Sequence, residues 1–245
     1  MRSIFIYIAV LFFSFSFSQK KELRQIKRLI DEKFFQEAQS TLESNKDFLL
    51  SGDSKTDAQY YYYATKIYTE IKSFKLAKNS LEELMSINSS YYNAEMKLDY
   101  KNLEEILVVA LVNAAVADNS SKKWMEGVDK LLLAYEMDKD NNIDYLYFAA
   151  SGAVNAENFD LALEYYLQLK EKNYTGIKDE YFITNVESGV EEKVTETEYK
   201  IYQSSKEYMN PRIGQTESRY PEIVKNIALI YAVSYTHLRA HETAM

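Results

Sequence analysis

The chain of 245 residues carries a formal net charge of −8 and is 47% apolar. It has no cysteine, which excludes disulfides and thiolate chemistry, and its acidic balance argues against nucleic-acid binding, which needs a basic footprint. Only 6 Gly and 2 Pro stand among abundant Leu, Ala, Lys and Glu, a composition that favours long helices.

Arg2 precedes an apolar run over 4–17, and Ser16 and Ser18 stand just before Gln19. A charged start, a short apolar core and small residues at the exit predict a secretory signal peptide over 1–18, cleaved after Ser18. The apolar run of 14 residues is short of the roughly 20 needed for a membrane span, so the mature chain is expected not to cross a membrane. No cysteine follows to carry a lipid anchor. The expected location is secreted, in the periplasm of a Gram-negative bacterium.

Beyond the leader the apolar spacing predicts pairs of helices. The first pair is 20–32 and 34–45. Its opening basic cluster, Lys20, Lys21, Arg24, Lys27 and Arg28, reads as a solvated helix face, with anionic lipid or an acidic partner as the alternative. A turn cluster, Ser51-Gly52-Asp53-Ser54, precedes the second pair, 56–71 and 74–87. Residues 91–101 read as a Tyr-rich insertion. A strongly apolar helix over 102–117 and a second over 123–137 make the third pair. Asp138 to Asn142 links it to the fourth, 143–156 and 159–172.

The second helix of every pair opens on the same phrase. An aromatic residue is followed three on by a small one and seven on by a large one. The copies are Phe35-Ala38-Leu42, Phe74-Ala77-Leu81, Trp124-Gly127-Leu131 and Phe159-Ala162-Tyr166. These offsets put all three side chains on one helix face, which only a stack of such helices can bury. The aromatics are 39, 50 and 35 residues apart. Large, small, small and aromatic residues at 13, 10, 9 and 6 before the aromatic are supplied by Tyr61, Ala64, Thr65 and Tyr68, and by Leu146, Ala149, Ala150 and Ala153 except at the last place. The third copy has Leu111, Ala114, Ala115 and then Asp118, which departs from the pattern, and the first matches at Ile26 and Leu29.

This resembles the tetratricopeptide repeat (TPR), a helix-turn-helix unit of about 34 residues, although glycine is missing from its usual place. The resemblance implies an all-α, TPR-like helical-repeat solenoid over 19–172. In that family the leading helices line a concave groove. Offsets of 12 and 8 before the aromatic then give Lys27, Tyr62, Lys66, Tyr147 and Ser151 as candidate partner-binding residues. The family's lysine-asparagine clamp for C-terminal carboxylates is not reproduced. Tyr60 to Tyr63 cover the circumference of their helix, so burial of all four is not expected.

The rhythm stops over 173–218. Tyr181 to Thr184 and Val190 to Thr195, joined around Gly189, predict a small β-hairpin, and Glu196 to Tyr208 an amphipathic helix ended by Asn210-Pro211 and Gly214. Pro221 then starts the leading helix of a truncated fifth repeat over 219–232, with Val224, Ile227, Ala228 and Tyr231 in the pattern. Residues 233–243 are identical to a translated transposase sequencing adapter, so 233–245 is read as a non-native tail. It contains both histidines, His237 and His241. Without leader and tail, 27 basic and 36 acidic residues remain, a net charge of −9.

A native part without His or Cys excludes Ser-His-Asp and Cys-His catalysis and the usual zinc sites. No Gly-rich phosphate loop is present. Asp138 to Asn142 begin like a calcium loop, but Ile143 stands where Gly is needed and Ala149 where the final Glu belongs. The pairs Glu82-Glu83, Glu104-Glu105 and Glu191-Glu192 are adjacent, and adjacent residues on a helix point about 100° apart. No catalytic residue, metal ligand or cofactor is therefore expected. The expected function is a scaffold for protein–protein or protein–peptide interaction through the groove. The alternative is an envelope accessory that stacks exposed tyrosines on glycan, and a third class is a hydrolase using carboxylates that converge from distant positions.

Overall fold

The computed structural model describes residues 18–50 and 53–244, with side chains to 233. The expected signal peptide lies outside these residues but for Ser18, as does Ser51-Gly52 of the turn cluster. The described residues are mostly helical with one small sheet. They fall into two compact units that divide between Tyr145 and Leu146.

The first unit begins with α1 (18–31), α2 (Phe35–Ser44) and a single turn, α3 (Lys46–Leu49). It continues with α4 (Ser54–Glu70), α5 (Phe74–Ser86), α6 (Ala94–Ser120) and α7 (Trp124–Met137). Asp53 caps α4 by accepting from the backbone N–H of Lys55 and Thr56, at 2.9 and 3.1 Å. Helix α6 starts eight residues earlier than the apolar pattern alone indicates. Asn93 caps it, its side chain accepting from Met96 N at 2.9 Å, and Tyr92 anchors the entry by donating to Leu84 O at 2.5 Å. The second unit holds most of α8 (Ile143–Asn155), then α9 (Phe159–Glu171), β1 (Asp179–Asn185), β2 (Glu191–Val194), α10 (Glu196–Tyr202), β3 (Tyr208–Gln215) and α11 (Tyr220–Ala244).

One turn recurs four times. It joins α1 to α2, α4 to α5, α6 to α7 and α8 to α9. Its first residue is left-handed in every case, with φ of 62° at Lys33, 62° at Lys72, 59° at Lys122 and 57° at Glu157. Each stands two before the aromatic of the repeated phrase. The next residue returns to φ between −82° and −87° with ψ between 60° and 74°. Both N–H groups reach back into the preceding helix. Lys72 N bonds Thr69 O at 3.1 Å and Ser73 N bonds Tyr68 O at 2.8 Å, and the same pair of bonds forms at the other three turns. This is the Schellman closure of a helix, and it ordinarily uses glycine. Here Lys or Glu stands where such a closure ordinarily has glycine.

The small and large members of the phrase are buried as its spacing requires, while of its aromatics Phe74 is buried and Phe35, Trp124 and Phe159 are partly exposed. Ala38, Ala77 and Ala162 are fully buried, as is Leu42, while Leu81, Leu131 and Tyr166 are nearly so. Gly127 has a local reason to lack a side chain, because a Cβ there would collide with the Asn119 amide. Where Asp118 replaces the expected aromatic, its carboxylate accepts from Lys130 Nζ at 2.5 Å, so an ion pair ties α6 to α7 instead of a ring.

The insertion is a three-stranded antiparallel sheet of order β2-β1-β3, rather than a hairpin and helix alone. The hairpin β1–β2 forms as predicted, with Gly189 at φ 68° in its turn. The helix after it is short. It ends at Tyr202, and Tyr208 to Gln215 form a strand that the sequence conceals. Asn210 at φ 51° makes a bulge opposite β1 and sets Pro211 in an edge strand, where the missing N–H costs no ladder bond. One face of the sheet carries Lys193–Glu180 and a bidentate Arg212–Glu191 pair at 2.9 and 3.1 Å. The other packs Tyr181 on Tyr199 of α10, with ring centroids 5.1 Å apart. The neck of the insertion is closed by Arg219 N to Thr175 O at 2.7 Å and Thr216 N to Lys178 O at 2.9 Å.

Helix α11 packs on α9. It buries Ile223, Ile227 and Ile230 rather than the full set expected from the repeat pattern. Val224 and Tyr231 are exposed, as is Ala228. Their equivalents in α4 are Tyr61, Thr65 and Tyr68, which are covered to differing degrees, whereas this face of α11 is open among the described residues. No helix of the described residues is long and apolar enough to cross a membrane.

Left-handed φ costs a side-chain-bearing residue about 1 kcal/mol relative to glycine, partly offset by glycine's greater freedom in the unfolded chain. Lys72→Gly is therefore expected to stabilise the protein by about 0.5 kcal/mol, and Lys72→Val to destabilise it by more than that. Urea unfolding followed by far-ultraviolet circular dichroism reads both. A loss of stability in Lys72→Gly would show that the lysine side chain holds the turn by some other contact.

Candidate functional site

Three of the five candidate groove residues lie in the first unit, on α1 and α4. None is left to solvent alone. The first turns of α6 run beside them and supply two carboxylates four residues apart, so both point the same way. Lys27 Nζ bonds Glu95 at 3.0 Å and Asp31 at 3.4 Å, and its side chain is 39% exposed. One turn further along α6, Asp99 Oδ2 accepts from the Tyr62 hydroxyl at 2.7 Å and from Lys66 Nζ at 3.3 Å. Lys66 also donates to the Tyr62 hydroxyl at 3.2 Å and stands 5.0 Å from the Tyr62 ring centre.

Tyr62 is therefore buried, at 1% exposure, and is not presented in an open groove. The cause is the length of α6, whose extra turns the apolar pattern does not announce. Tyr60 and Tyr63 are buried as well, and only Tyr61 of the four keeps an intermediate exposure. Neighbours on nearly every side of α4, namely α2, α3, α5 and α6, make this possible.

The charges respond to one another. Burial alone would raise the Asp99 carboxyl, but the Tyr62 hydroxyl and the Lys66 ammonium outweigh it and hold it below its ordinary value of 3.8. Burial pushes the Tyr62 hydroxyl far above its ordinary value, and the bond to Asp99 adds to this, so it remains a donor at every physiological pH. For Lys27 burial disfavours the charge, yet Glu95 and Asp31 overcome it and raise the ammonium above 10.5.

The remaining two candidates belong to the second unit. Tyr147 and Ser151 share one face of α8, four residues apart. The Tyr147 hydroxyl bonds Glu222 of α11 at 2.8 Å, and the Arg219 guanidinium lies 4.4 Å from its ring centre and 4.9 Å from that of Phe148. Burial, with Glu222 beside it, lifts the Tyr147 hydroxyl to about 12. Ser151 shares a 3.3 Å hydrogen bond with the Tyr166 hydroxyl, which also accepts from Asn226 at 3.0 Å. Burial raises the Tyr166 hydroxyl as well.

The chain matches no family model and no curated protein. What the site does must therefore be argued from these side chains.

Sequence reasoning missed Glu95, Asp99, Arg219 and Glu222. Each is an ordinary surface residue type, and each matters through a partner distant in sequence. The only signal for the first two is their spacing of four at the start of a helix. The Asp138 loop, in contrast, is spent on itself. Its carboxylate accepts from Asp140 N, Asn141 N and the Asn141 amide at 3.2, 3.0 and 2.7 Å, as a capping linker does.

Asp99 titrates lower in the folded chain than in the unfolded one. The unfolded chain accordingly holds more protons as the pH falls through that range. The stabilisation is complete above the unfolded value and is lost as the pH drops through the folded value. The pair is about one-third exposed, which limits it to about 1 kcal/mol with its hydrogen bond. Asp99→Asn is expected to lose about that much at pH 7 and to show a flatter decline of stability as the pH falls below about 4. Unfolding midpoints measured across that range test it; parallel curves for parent and variant would mean that Asp99 titrates alike in both states.

Proposed function

We propose that this chain is a secreted, TPR-like scaffold that binds another protein or a peptide along the faces of its leading helices. The single observation that carries this reading is the identical left-handed turn at Lys33, Lys72, Lys122 and Glu157. Four hairpins closed in one way, each with a buried small residue three after the aromatic, support a repeat architecture. Repeat arrays of this kind offer a run of side chains from successive leading helices, which suits an extended or helical peptide. The polar side chains a peptide would meet on these faces are Lys27 and Lys66, each paired within the chain but still partly exposed, in one unit and Ser151 in the other. The charged apolar-run start and the small residues before Gln19 support secretion.

A library of random 12-residue peptides displayed on phage and selected on the full chain tests the reading. Enriched peptides are expected to share a pattern; those held by the first unit lose binding on Lys66→Ala and those held by the second on Ser151→Ala. The loss expected is about fivefold, the scale of one partly exposed ion pair or hydrogen bond. No enrichment, together with a signal on a glycan array, would replace this reading with glycan recognition.

A further inference from the structure

Helix α1 opens on a cluster of cations in an otherwise acidic chain. Over 20–28 there are five cations, Lys20, Lys21, Arg24, Lys27 and Arg28, against the single carboxylate Glu22. Some of these charges are gathered in a defined place. Between α1 and the start of α4 lies a cleft of about 460 Å³, lined by Lys20, Arg24, Lys27, Lys55, Gln59 and Tyr63, with Asp53 at its edge. The Asp53 carboxylate is occupied in capping α4. Lys27 is occupied by Glu95. Among the described residues no carboxylate pairs with Lys20, Arg24 or Lys55, so cations outnumber the one carboxylate that lines this cleft, Asp53.

The same face already shows what it accepts. Glu95 and Asp99, on one edge of the α6 helix, sit on Lys27 and Lys66. The unpaired cations stand on the same two helices, Lys20 and Arg24 before Lys27 on α1 and Lys55 before Lys66 on α4. We infer that the α1–α4 cleft is the docking site for an acidic peptide segment of a partner protein, whose side-chain carboxylates pair with Lys20, Arg24 and Lys55 as Glu95 and Asp99 pair with Lys27 and Lys66. The segment extends the internal carboxylate row. It does not need to displace α6. This inference rests on the peptide-binding reading above and names the partner chemistry for one part of that face. The neutral amide of Gln59 adds a hydrogen-bonding group on the floor, and the buried Tyr63 ring gives the cleft an apolar wall.

The test uses the full chain and a fluorescein-labelled 12-residue peptide of alternating Glu and Ala, with a Gln-and-Ala peptide as the uncharged counterpart. Fluorescence anisotropy is expected to show binding of the Glu peptide only, weakening as salt rises from about 0.05 to about 0.3 M. Each of Lys20→Glu, Arg24→Glu and Lys55→Glu is expected to weaken it by about fivefold to tenfold, and Lys206→Glu in the insertion to leave it unchanged. Thermal unfolding of each variant separates lost binding from lost folding. Equal binding of both peptides would overturn the acidic specificity and leave the peptide-binding reading standing. Binding to vesicles containing phosphatidylglycerol without binding to the Glu peptide would overturn it in favour of a lipid surface. Binding to neither would overturn it too, while the displayed random library still decides the broader reading.

Discussion

The whole arrangement depends on a two-residue reversal in which the first residue is left-handed. Such a turn ends one helix and starts the next within two residues, and its two backbone bonds fix the angle at which the second helix leaves. The aromatic that follows then lands against the helix just completed, and the small residue three later marks where the two approach. Had one of these turns been a flexible loop, the same apolar faces would lack a fixed register. Lys33, Lys72, Lys122 and Glu157 all accept an unfavourable φ to keep it.

A second constraint follows from the unequal lengths of the leading helices. Helix α6 spans 27 residues where α4 spans 17. Its surplus lies at the beginning, beside α1 and α4, and is amphipathic in charge as well as in apolar character. Met96 and Leu103 are buried while Glu95 and Asp99 meet cations. Lys27 and Lys66 are thereby paired, while Lys20, Arg24 and Lys55 on the same helices keep no carboxylate partner among the described residues. The tyrosine between the pairs lends its hydroxyl to the carboxylate and its ring to the lysine, so one buried residue serves two charged neighbours.

How much of this could be read from the sequence depended on whether a feature has a local period. Apart from α6, the paired helices emerged within a residue or two because apolar side chains recur at three and four. The hairpin around Gly189 emerged because its turn residues are distinctive. Strand β3 did not, since Asn210, Pro211 and Gly214 are the residues that usually end structure, and only the bulge explains how they sit in a strand. The start of α6 was hidden for a related reason. Tyr91, Tyr92 and Asn93 look like a loop, and Glu95 and Asp99 find their partners 33 to 68 residues away. The five candidate residues were chosen by their offsets in the repeat, and offsets say which way a side chain points without saying what covers it. Tyr62 is the clearest instance.

The neck of the sheet insertion bears on how such a chain changes over time. Its two strands of backbone enter and leave through Thr175 and Arg219, whose main chains are joined by one hydrogen bond. Everything between them folds on its own pairings, and α11 meets α9 whatever lies beyond the neck. Lengthening a segment whose ends are already held together costs little, since the entropy of closing a loop grows only with the logarithm of its length. The insertion is thus free to be enlarged, shortened or exchanged with small effect on the helices that carry it, so this part of the molecule can acquire a new specificity while those helices stay as they are.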